Sequence, residues 1–182
     1  MGVQHRRTRD GGDGEQTNPR CPKRTRRLEP WRRLVKAFFD TSVLVPVFNA
    51  DHVHHEASIN AFLGVEKGQG YCAGHTLAEF YSVTTRYPGR DRVGGAEITL
   101  FVEIIRERLT IVTLTAEEYF DTVIEAAEKG IAGGLIYDML LARCAVKAGA
   151  DILYTINVKD FAQLGQDISR RVRLPSSVTG PL

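Results

Sequence analysis

Lys36-Ala37-Phe38-Phe39-Asp40-Thr41-Ser42-Val43-Leu44 is the stretch on which the reading of the fold turns. An apolar run stops on a carboxylate and a second apolar run starts three residues later. Residues 36–39 read as a first buried strand and residues 43–48 as a helix, which places Asp40 at the carboxyl end of the strand. A carboxylate beside core-forming residues is costly to desolvate unless a cation, a proton or hydrogen bonds compensate it. Three more acids share that setting. Glu79 interrupts Leu77-Ala78-Glu79-Phe80-Tyr81, Asp138 lies in Leu135-Ile136-Tyr137-Asp138-Met139-Leu140-Leu141, and Asp160 precedes Phe161. Four such acids converging on one pocket point to a divalent-metal site.

Outward from this stretch the chain alternates strand-like and helix-like segments, the pattern of a parallel α/β sheet. Helices are predicted at 53–64, with Ile59, Phe62 and Leu63 on one face, at 75–87, stopped by Pro88-Gly89, and at 96–108. In the last of these Ile98, Phe101, Val102 and Ile105 keep helical spacing. Strands are predicted at 70–73, 109–114 and 151–156, with a weak one at 171–174. Thr115 opens a further helix as a capping box, Glu118 standing three residues on. An apolar helix at 135–148 ends at Gly149. The expected architecture is three-layered, a central parallel sheet of four to five strands flanked by helices. Ligands of such sheets bind beyond the carboxyl ends of the strands, near the point where strand order reverses. Asp40, and Asn157 with Asp160 after the fourth strand, belong on that edge. Glu79 and Asp138 sit early in helices that can lean over it.

The 182 residues suffice for one domain with a substantial core, and 43% hydrophobic with 25% charged residues fits a globular class. No apolar stretch approaches the ~20 residues of a membrane helix. Cys21, Cys72 and Cys144 are odd in number and form no CxxC pair, which argues against a disulfide framework and favours a reducing cytoplasm. The net charge of +2 hides an asymmetry. Residues 1–36 hold 11 Lys/Arg against 4 Asp/Glu, and the remainder 13 against 18. Residues 1–34 therefore read as a basic, disordered extension without a secretory h-region, 35–175 as the folded domain and 176–182 as a tail. A second account of the extension is that translation starts near Val35, since valine is what a GTG start codon encodes when read internally. Intact mass of the natively expressed protein decides between the two.

Each acid also has an ordinary structural explanation. Asp40 could cap the helix that follows, Asp138 could sit in the first turn for the helix dipole, Glu79 could face solvent, and Asp160 could cap a short helix at 161–164. Singly the acids are weak signals; in this order on a βα scaffold they are specific.

Together, Phe38-Phe39-Asp40-Thr41-Ser42-Val43-Leu44, Ala78-Glu79-Phe80, Tyr137-Asp138-Met139-Leu140-Leu141-Ala142 and Thr155-Ile156-Asn157-Val158-Lys159-Asp160-Phe161 resemble the PIN domain, in the size and spacing of VapC-like ribonuclease toxins. The resemblance spans about residues 35–175. It implies an endoribonuclease in which Asp40 and Asp138 hold Mg²⁺ or Mn²⁺, with Glu79, Asn157 and Asp160 completing the site directly or through water. It further implies an RNA substrate, a homodimer, and a cognate antitoxin whose inserted segment covers the acids. Hard oxygen ligands agree with that choice of metal. Asn157 stands where many PIN domains carry a fourth acid, which removes one negative charge unless Asp160 reaches the site. Two alternatives follow: a non-catalytic PIN-like RNA- or protein-binding module, and an RNA-maturation nuclease without an antitoxin. Thr155 is a candidate to orient a metal-bound water.

Other motifs carry less. Asp51, His52, His54 and His55 do not share one helical face as a zinc site would require. His75 reads as a cap or core contact. Gly130, Gly133 and Gly134 lack the Lys-Ser/Thr of a phosphate loop, and no Gly-x-Ser-x-Gly elbow is present. Arg86, Arg90, Arg92, Arg143 and Lys159 are candidate phosphate contacts, Lys159 first because it lies between two site residues.

Overall fold

Phe38 and Phe39 are both fully buried yet belong to different cores, as the two-residue period of a strand buried on both faces dictates. The computed structural model describes residues 34–87 and 93–177. These form β1 (Ala37–Phe39), α1 (Thr41–Val47), α2 (His55–Leu63), β2 (Gly70–Ala73), α3 (Gly74–Thr84), α4 (Gly95–Arg108) and β3 (Thr110–Val112). There follow α5 (Ala116–Glu128), α6 (Leu135–Lys147), β4 (Ile152–Tyr154), α7 (Val158–Ala162), α8 (Gln166–Ser169) and β5 (Val172–Arg173). The sheet has order β3-β2-β1-β4-β5 and every pair is parallel. Strand order reverses between β1 and β4, which pair directly through Phe39 opposite Tyr154.

One face carries α1 to α4. There Phe39 packs with Val43, Leu44, Phe62, Phe80, Ile98 and Ile105. The opposite face buries Phe38 and Leu153 against Leu141, Cys144 and Ala145 of α6 and Phe161 of α7. The predicted three-layer sheet is thus present, with five strands. Burying a Phe side chain contributes roughly 1.5–3 kcal/mol, so the two adjacent Phe residues anchor both layers to β1.

Several boundaries differ from the sequence reading, each for a local reason. The first helix begins at Thr41, directly after Asp40, and continues through Pro46. Leu109 is not in a strand; it follows α4 as its cap residue and is buried, leaving only Thr110–Val112 to pair with β2. Leu63 keeps helical spacing from Ile59 but is 55% exposed. The helix expected at 161–164 starts earlier, at Val158, with Asn157 in the cap position and Asp160 in its first turn, so Asp160 is not the cap. His75 is likewise not a cap: Ala73 holds that position and His75 lies inside the first turn of α3. The capping box of Thr115 and Glu118 forms with both reciprocal bonds. Residues 1–33 of the predicted extension, the Pro88-Gly89 stop, Arg90 and Arg92 lie outside the described residues. Among the described residues no helix is long and apolar enough to cross a membrane.

Candidate active site

The parallel ladder delivers Asp40 and Thr155 side by side, because Asp40 follows β1, Thr155 follows β4, and the Asp40 N–H bonds the Tyr154 carbonyl at 3.0 Å. Asp40 is only 4% exposed. By position it is the N-cap of α1, yet its side chain makes no cap hydrogen bond. Instead Oδ2 accepts the Ser42 hydroxyl at 2.5 Å and the Thr155 hydroxyl at 2.7 Å. Both hydroxyls are themselves held by the backbone after β4. The Ile156 N–H donates to Ser42 Oγ at 3.0 Å and the Asn157 N–H to Thr155 Oγ1 at 2.9 Å. Two hydroxyl protons and two backbone amides thus aim one oxygen of one carboxylate. A capping residue needs none of this.

Burial raises the Asp40 carboxyl above its ordinary range; the Ser42 and Thr155 hydroxyls and a weaker pull from the Ser42 amide act downward, and Glu79 adds a further push upward. Asp138, half-buried in the first turn of α6, is pushed up to about 7, by desolvation first and then by Asp40, Asp160 and Glu79. A carboxylate placed only for the helix dipole would be stabilised in its charged form. Asp138 shows the opposite, because burial first and three neighbouring acids next disfavour its charge. Glu79, on the second turn of α3, is half-buried and accepts the Thr41 hydroxyl at 2.6 Å, so it is not a solvent-facing residue. Asn157 and Asp160 are exposed at the start of α7, Asp160 close enough to act on Asp138.

The structure therefore brings Asp40, Glu79, Asp138 and Asp160 into one electrostatic neighbourhood, with Asn157 at its rim. Among the described residues no Lys or Arg forms an ion pair with any of the four. Among the same residues no three His, Cys, Asp or Glu side chains stand close enough to cage an ion unaided. Mg²⁺ does not ask for such a cage: it keeps several waters and takes one or two carboxylates. An all-oxygen donor set, mutually repelling and without a cationic side chain, fits that ion.

Motif reading assigns no role to the hydroxyls of Ser42 and Thr41 and gives Thr155 to a metal-bound water. Ser42 and Thr41 adjoin Asp40 and Thr155 adjoins Asn157 in sequence, but only the β1–β4 pairing shows what they hold. The Thr155 proton goes to Asp40. Of the candidate phosphate contacts, Arg143 is ion-paired with Glu125, whereas Lys159 is exposed beside Asn157. The histidine run lies mostly in a turn: His55 Nδ1 contacts the Pro46 carbonyl at 2.7 Å and His52 Nδ1 accepts the His54 N–H. No metal cluster forms there among the described residues. Burial pushes the thiols of Cys72 and Cys144 up to about 12 and about 11, so neither supplies a thiolate at neutral pH.

The PIN domain family matches residues 37–166. The chain belongs to the PIN domain family. Among curated proteins, ribonuclease VapC40 of Mycobacterium tuberculosis is 34% identical over 63% of this chain and 81% of its own length. Ribonuclease VapC27 of the same organism is 32% identical over 62% and 79%. Two solved structures share this PIN fold. VapC20 of M. tuberculosis, described as a Sarcin-Ricin loop cleaving toxin, superposes with a TM-score of 0.52 at 16% identity over 65% of this chain and 87% of its own. VapBC2 of Rickettsia felis, bound to a DNA fragment from its promoter, reaches 0.54 at 18% identity over 78% and 100%.

Proposed function

We propose that this PIN domain is a Mg²⁺- or Mn²⁺-dependent endoribonuclease and the toxin of a toxin–antitoxin pair. The observation that carries the reading is the Asp40 carboxylate, almost fully buried at the β1/β4 switch point, held by two hydroxyls in one electrostatic neighbourhood with three further acids, none of them ion-paired with a Lys or Arg among the described residues. The relatives that are named ribonucleases support the choice of reaction.

In this reading Asp40 and Asp138 hold the ion, and Glu79 and Asp160 contribute directly or through water. When bound, the ion supplies Lewis acidity toward the phosphodiester and a water of lowered pKa. Ser42 and Thr155 keep Asp40 oriented, Thr41 orients Glu79, and Lys159 at the rim meets a backbone phosphate. Asn157 offers a neutral oxygen where a further charge would strengthen the hold on a second ion.

A cognate antitoxin that covers the acids belongs to the same reading, supported by the toxin–antitoxin complex among the structural relatives. So does a homodimer. Exposed Tyr119, Phe120, Val123 and Ile124 form one apolar strip on α5 of the kind a partner subunit covers. A monomer by sedimentation at micromolar concentration would remove that part. The central test is cleavage of RNA by the purified protein. Wild type should cut in Mg²⁺ and not in EDTA, and Asp40→Asn should lose about 10² or more in rate while melting as a folded protein. Equal cleavage by Asp40→Asn, or full activity in EDTA, rejects the assignment.

A further inference from the structure

α6 ends at the amino edge of the sheet. There Lys36 Nζ donates to the Ala148 carbonyl at 3.2 Å, and the Asp151 N–H donates to the Lys36 carbonyl at 2.8 Å. The helix therefore begins at the carboxyl edge. Its 13 residues run about 20 Å at 1.5 Å per residue, whereas the three residues of β1 span only about 10 Å. With its last turn fixed at one edge, its first turn overhangs the other, where Asp40 follows β1. Tyr137 lies in that overhanging turn, next to Asp138 and four residues before Leu141. Leu141 is buried in one core with Phe38 and Ala73, so Tyr137 occupies the same sheet-side face one turn further out. At that place it is 57% exposed. Among the described residues its hydroxyl has no hydrogen-bond partner, and its ring meets no other ring and no cation.

A protein partner needs a continuous apolar patch, such as the four-residue strip on α5. Tyr137 is not part of one: exposed Gly133 and Gly134 precede it and a carboxylate follows it. A nucleobase needs only one aromatic face, and unstacked bases of single-stranded RNA are held in this way by Tyr, Phe and Trp. The Cα atoms of Tyr137 and Asp138 are about 3.8 Å apart, so a phosphate at the acids brings the base of an adjoining nucleotide within the reach of the ring. We infer that Tyr137 is a base-stacking platform for a nucleotide flanking the scissile phosphate. The inference rests on the endoribonuclease reading above and deepens it. It gives the site an aromatic contact with the base, where the acids and Lys159 serve only the phosphate backbone. The ring carries the contact and the hydroxyl is dispensable.

The test is cleavage of a single-stranded oligoribonucleotide with one mapped cut, by wild type, Tyr137→Ala and Tyr137→Phe. Each enzyme is also given the same strand with an abasic ribose on either side of the cut in turn. Melting temperature and Mn²⁺ calorimetry accompany each variant. Truncating a stacked aromatic typically costs about 5- to 100-fold in affinity. Tyr137→Ala should therefore raise KM on the intact strand at least about 5-fold with a smaller change in kcat, and Tyr137→Phe should restore most of the loss. One of the two abasic strands should raise KM for wild type by a similar factor and leave Tyr137→Ala almost unmoved, because the ring and the base form one contact. Mn²⁺ affinity should not change. Wild-type KM in Tyr137→Ala overturns the inference, as does an Ala loss that is equal on the intact and both abasic strands, or an equal loss in Phe. An Ala variant with unchanged KM but altered sedimentation would assign the ring to a protein interface instead. Failure of wild type to cut RNA in Mg²⁺ overturns the endoribonuclease reading, and this inference with it.

Discussion

Asp138→Asn should make the metal-free protein more stable while destroying its response to metal. In the folded chain Asp138 titrates near 7, against an ordinary value of 3.8, because burial and then Asp40, Asp160 and Glu79 disfavour its charge. The difference is about three pH units, or about 4 kcal/mol at 1.36 kcal/mol per unit. Asp138 is only half-buried, so solvent screening brings this down to roughly 2 kcal/mol. The folded state binds this proton more tightly than the unfolded chain does. Between about pH 4 and 7 it therefore holds more protons, and stability falls as pH rises, levelling off above 7. Asn is of the same shape and carries no charge to repel. At pH 8 in EDTA, Asp138→Asn should melt about 4–8 °C above wild type, taking about 2–4 °C per kcal/mol for a chain of this size. The gap should narrow toward pH 5 and close below about pH 4, where wild-type Asp138 becomes protonated in both states. Saturating Mn²⁺ should raise the wild-type melting temperature by mass action and leave the variant almost unmoved. Differential scanning fluorimetry across pH, with and without Mn²⁺, reads all of this. A variant that melts at or below wild type at pH 8, or a gap that widens on acidification, refutes the claim that Asp138 is a carboxylate held against repulsion.

Two smaller perturbations probe the supporting shell. Thr155→Val keeps the shape of a fully buried side chain but removes the 2.7 Å donor to Asp40 and the acceptor of the Asn157 N–H. It should cost about 1–3 kcal/mol by urea unfolding and weaken Mn²⁺ binding, and unchanged values on both counts would show that Ser42 alone suffices. Asn157→Asp adds a charge at the exposed rim of the acid group, so Mn²⁺ should bind more tightly in calorimetry; unchanged binding would place residue 157 outside the ion's reach.

In the linear chain the strand–acid–helix corner at Asp40 was plain, and so was the alternation that makes a parallel sheet. The reason is local: side-chain period, turn residues and the Thr115 capping box depend on neighbours a few positions away. The four acids could be named for the same reason, as polar interruptions of apolar runs. Beyond the metal site that their setting and the PIN resemblance imply, how those acids are held was not legible. Asp40 and Thr155 are 115 positions apart, and only the β1–β4 pairing puts the hydroxyl on the carboxylate. The helix-cap explanation for Asp40 and the dipole explanation for Asp138 are equally consistent with sequence. They fail only when the hydrogen bonds of one and the like-charged neighbours of the other are seen. His75 makes the same point from the other side. It reads as a cap or core contact, and only tertiary packing shows its Nε2 enclosed with no hydrogen-bond partner among the described residues. Burial and long-range electrostatics are properties of three-dimensional neighbours, so the sequence determined which groups were available and the tertiary structure decided which of them form a site.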